Sequence, residues 1–111
     1  MLSFQKKKFI EDHLETIRYP DSEDKKYLWD VEGILKNRLN EVLKFDLRPI
    51  KNNTKIGSFS TKADKMVFEL KNQYIIVDVE ELHQYLKEND IKDVHLQSLI
   101  LKLEWNIILP K

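Results

Sequence analysis

Residues 65–82, KMVFELKNQYIIVDVEEL, carry the reading on which the fold depends. Lys65–Lys71 alternates in the manner of a strand, and Tyr74-Ile-Ile-Val-Asp78 follows after the turn-like pair Asn72-Gln73. Alternation places successive side chains on opposite faces, so a strand apolar at every position, as Tyr74–Val77 is, must be covered on both. That predicts a hairpin whose second strand lies inside a sheet, flanked on one side by Lys65–Lys71. Asp78 then suits the N-cap of a helix. Its carboxylate can accept from the amide three residues on, where Glu81 completes a capping-box-like arrangement. Val79, Leu82, Tyr85 and Leu86 recur at helical spacing, and Asn89-Asp90 ends the run.

Toward the C-terminus, Leu96, Leu99, Ile100 and Leu103 predict a further helix over 94–103, and Trp105–Leu109 predicts a last strand stopped by Pro110. Toward the N-terminus, Ile56–Thr61 is a weaker strand, and Arg48-Pro49 with Lys51-Asn52-Asn53 forms a connector. Before it, Phe9, Ile10, Leu14 and Ile17 predict a helix over 3–18, broken at Tyr19-Pro20 because proline disfavours helical geometry in the preceding residue. Leu28, Val31, Leu35, Leu39 and Val42 predict a second, longer helix to about Lys44, within which Gly33 marks a close crossing. The expected class is α+β in the order ααβββααβ. An N-terminal helical hairpin (1–45) precedes a small, mainly antiparallel sheet with two further helices (54–111), the whole of 1–111 forming one domain.

Composition narrows the chemistry. There is no cysteine, which removes disulfides and thiolate metal sites. Basic and acidic residues number nineteen each, so no overall field selects nucleic acid or membrane. No apolar run approaches a membrane span, and the lysine-rich start lacks an apolar signal-peptide region, so a cytoplasmic location is expected. With only Gly33 and Gly57, neither a phosphate-binding loop nor a dinucleotide fingerprint can be built. His13, His83 and His95 fall on three separate predicted helices without a histidine partner at i+4, so no metal or cofactor is expected.

Glu69 and Lys71 share one strand face in an E-x-K pair, with Asp64 upstream and Glu11 or Glu15 on the first helix. This resembles the half-motif of the PD-(D/E)-x-K nuclease superfamily. The resemblance implies a magnesium-holding acid and a lysine that orients water or stabilises charge during phosphodiester cleavage. It covers about ten residues, and Asp64 precedes Glu69 by five positions where the family has roughly a dozen.

The charge is unevenly distributed. Between Lys36 and Lys65 eight basic residues face three acids, and Lys51, Lys55 and Lys62 with the stacking aromatic Phe59 form a candidate nucleic-acid surface. Between Asp78 and Asp93 six acids face two lysines. Glu80, Glu81, Glu88 and Asp90 are accordingly the candidate contacts for a basic protein, such as a toxin or effector. The expectation is a non-enzymatic intracellular binding protein of inhibitor, immunity or regulatory type, without catalytic residues. The alternatives are a nucleic-acid-binding accessory protein and a metal-dependent nuclease. Open sheet edges and the aromatic group Tyr19, Tyr27 and Trp29 raise the further expectation of a homodimer.

Overall fold

In the computed structural model, which describes residues 6–23, 28–36, 40–49, 55–56, 61–90 and 94–111, the decisive stretch forms the predicted hairpin and helix. Strand β5 (Lys65–Glu69) pairs antiparallel with β6 (Gln73–Asp78), with Val67 opposite Ile76, and helix α2 (Val79–Glu88) follows directly. The turn closes with Leu70 N–H donating to the Gln73 carbonyl at 2.8 Å. Asp78 caps α2, its Oδ2 accepting from Glu81 N–H at 2.9 Å. Strand β6 has β5 on one side and the last strand, β8 (Asn106–Pro110), on the other. Tyr74, Ile75, Ile76 and Val77 are all buried, as apolarity on both faces requires.

The N-terminal third differs from expectation. Among the described residues there is no helical hairpin. Helix α1 covers only Lys6–His13 and runs straight into strand β1 (Leu14–Arg18), and the predicted second helix is replaced by β2 (Val31–Leu35) and β3 (Leu43–Pro49). Val31 and Leu35 satisfy a spacing of four residues and also a spacing of two, so the periods coincide over this short run. The alternation that decides it comes from Val31, Gly33 and Leu35 inward against Glu32 and Ile34, and from buried Leu43, Phe45 and Leu47 in β3. Asn40 and Gly33 also weaken a helix here.

Strands β1, β2 and β3 pair antiparallel in sequence, and β3 lies parallel to β5, with Leu47 opposite Val67. The result is a curled, mixed six-stranded sheet in the order β1-β2-β3-β5-β6-β8. The crossover from β3 to β5 contains β4 (Lys55–Ile56), which pairs with β7 (Val94–His95) in a separate ribbon. The rest of the expected 56–61 strand, apart from the buried Thr61, lies outside the described residues. The fourth predicted helix is shorter than expected. Helix α3 spans Leu96–Ile100, beyond which Asn106 Nδ2 donates to the carbonyls of Ile100 and Leu103 and holds a turn.

Both sheet faces are covered. Under α1, Phe9 and Ile10 pack with Leu14, Val31, Phe45, Leu47, Val67, Tyr74 and Ile76, the Phe9 ring meeting Tyr74 edge-on at 5.0 Å. On the opposite face Met66, Phe68, Ile75 and Val77 meet Leu82, Leu86, Leu96 and Leu99 of α2 and α3. Two cores on one sheet explain why β5 is buried at every position, its charged residues included.

Gly33 does sit at a close approach, though in a strand. A Cβ there would lie 3.3 Å from the Glu15 carbonyl oxygen and 3.3 Å from Ile17 Cγ2. Opposite it β1 loses register between Glu15 and Arg18, where Thr16 adopts φ 55°. This is a bulge on an edge strand.

Candidate functional site: the outer face of helix α2

Helix α2 turns Val79, Leu82 and Leu86 into the core, which leaves Glu80, His83, Gln84, Lys87 and Glu88 on the outside at helical spacing. These five line a shallow hollow of about 550 Å³. A second hollow of about 320 Å³ shares Gln84 and Glu88 with it and reaches across Tyr85 to Lys102 and Glu104. Gln84 Nε2 donates to Glu88 Oε1 at 2.7 Å, so the pair that lines both hollows is held together. Asp90 is exposed just past the helix end, in the left-handed region at φ 51°, while Asn89 and Asp90 donate back to Tyr85 and Lys87 carbonyls.

Of the four acidic candidates, Glu80, Glu88 and Asp90 are exposed and Glu81 is committed elsewhere. Glu81 Oε2 accepts from Glu104 N–H at 2.6 Å and Oε1 from Trp105 N–H at 3.0 Å, so this carboxylate fastens α2 to the chain entering β8. Charge counting could not separate Glu81 from Glu80. The signal that could have done so is its position three residues after the Asp78 cap, close to the buried side of the helix.

Much of the basic segment is used internally. Lys36 Nζ donates to the Glu11 carbonyl at 2.8 Å, and Arg48 grips buried Asp46 through two bonds of 2.7 and 2.8 Å. That pairing raises the Arg48 pKa further still. Lys44 lies 5.7 Å from the Trp29 ring centroid, with Arg18 5.3 Å from the same ring. Lys65 is buried, bonded to Asp78 at 2.7 Å and lying 3.8 Å from the centroid of Trp105. Lys62 is exposed. Lys51 and Phe59 lie outside the described residues, and of Lys55 only the backbone, in β4, is described.

The E-x-K residues do not converge. Glu69 points under α1, buried, with Oε2 accepting from Lys111 Nζ at 2.9 Å, whereas Lys71 is exposed in the turn beyond the strand. Asp64 precedes the other end of β5, where its carboxylate accepts from Lys44 N–H at 2.9 Å. Four residues of strand, roughly 13 Å, separate the start of β5 from Glu69. Glu11 and Glu15 are exposed. The histidines stay apart: His13 lies against the rings of Phe9 and Tyr74, while His83 and His95 are exposed on α2 and β7. Among the described residues no group of three histidines or acids is placed to hold a metal ion. None of the described helices is long and apolar enough to cross a membrane.

Sequence reasoning missed the paired charges inside the sheet. Lys65 and Glu69 alternate with Met66 and Phe68, which reads as a solvated face. Cover on both sides of the sheet turns that face inward, and each charge finds a partner within the sheet, Lys65 with Asp78 of the neighbouring β6 and Glu69 with Lys111 just past β8, two strands away.

Comparison with protein-family models, curated proteins and solved structures finds no match to this chain.

Proposed function

We propose that this chain is a non-enzymatic binding protein that docks a basic protein partner on the outer face of α2. One observation carries this reading. The described charges of the sheet are largely spent in internal pairs, Lys65 with Asp78, Glu69 with Lys111, Asp46 with Arg48 and Glu32 with Arg18. The exposed acids Glu80 and Glu88, in contrast, stand with Lys87 around an open hollow, and Asp90 is exposed just past the helix end. Rim charges of this kind act mainly on the rate of encounter, and salt screens them. An intracellular inhibitor or immunity-type protein facing a basic toxin or effector fits that chemistry, by analogy of size and charge alone. The nucleic-acid alternative keeps Lys62 and the undescribed Lys51, Lys55 and Phe59. It loses the support of Lys36, Lys44, Arg48 and Lys65, whose charged groups are engaged within the chain.

The test is capture of the co-purifying protein from the native cell by the wild-type chain, followed by kinetics with the isolated protein. Glu80→Lys with Glu88→Lys is expected to slow association at least tenfold in low salt and flatten its salt dependence, with the melting temperature retained. Lys62→Glu is expected to leave binding unchanged. The opposite pattern, or capture of nucleic acid displaced by salt, overturns the reading. Glu81 is left intact because its carboxylate fastens α2 to the chain entering β8.

A further inference from the structure

We draw no further inference here: the strongest candidate, the cluster of buried Glu69 and Tyr74 with Lys111 beneath α1 at the end of β5 and β6, leaves Glu69 Oε1 without a donor among the described residues, and nothing in the structure shows what would pair with it.

Discussion

Gly33 shows how much one side chain can decide. Its missing Cβ leaves room for the β1 bulge, where two residues of the edge strand face one of β2. Gly33→Ala would press a methyl group against a backbone oxygen, which has less freedom to yield than the tip of a side chain. A loss of about 1–3 kcal/mol is expected, as for other overpacked sites. It should be read as a lower urea midpoint with an unchanged slope. Tyr74 carries a different signature. Burial, reinforced by the Glu69 charge, raises its pKa above the ordinary tyrosine value of 10.0. The neutral phenol is therefore favoured by folding, and its contribution is complete below the unfolded pKa. That contribution is lost as pH rises from about 10 through the raised folded value. Tyr74→Phe should flatten the alkaline fall in stability, measured as the difference between the two urea midpoints from pH 9 to 11.

Among the elements, β5, β6 and α2 were legible because their cues agree: two-faced apolarity, a turn of the right length and a capping aspartate. The N-terminal elements were not, because Val31 and Leu35 serve either period and Ile17, expected in the core, is 43% exposed. What settled them is pairing with the neighbouring strands and, for β3, with β5 beyond the crossover, to which local spacing is blind. The acidic candidate face was legible in the same partial way. Glu80 and Glu88 could be placed outward from Val79, Leu82 and Leu86, but the partners of Glu81 come from residues 104 and 105, far along the chain. Asp78 joins two elements at once, capping α2 while pairing with buried Lys65. Asp78→Asn should keep the cap yet strand the lysine. Its cost is expected to fall below the about 3–5 kcal/mol of a fully buried broken pair, since the Asp78 side chain retains 27% exposure. Asp78→Ala should cost about 1 kcal/mol more, through the lost cap. Adding Lys65→Met to Asp78→Asn should restore most of the loss, and urea titration of the three variants checks all of it.

For the whole molecule, the two sheet edges bear on the expected homodimer. At one, the β1 strand is bent by its bulge, flanked by Glu15 and Arg18 and followed by Pro20. At the other, Lys111 N–H donates to the Asn72 carbonyl, so by alternation Asn106, Ile108 and Pro110 turn their backbone groups outward. Proline has no N–H, and Pro110 therefore withdraws a donor from the free edge at no cost to the ladder. These edges disfavour dimerisation by strand pairing, and light scattering is expected to give the mass of one chain. Pro110→Val restores an outward donor beside exposed Ile108 and should introduce concentration-dependent association.

The parallel contact between β3 and β5 also governs how the chain assembles. The antiparallel pairs β1–β2, β2–β3 and β5–β6 each join strands consecutive along the described order, whereas the seam between the halves forms only after the crossover from Pro49 to Lys65 has closed. Loop closure costs entropy before any contact repays it. The β1–β2–β3 meander and the β5–β6 hairpin are therefore free to take shape early, and the barrier to folding is expected at the longer-range pairings, the β3–β5 seam and the β6–β8 contact. Destabilising Leu47 or Val67 across the seam should slow folding, whereas loosening the β1 edge should chiefly hasten unfolding.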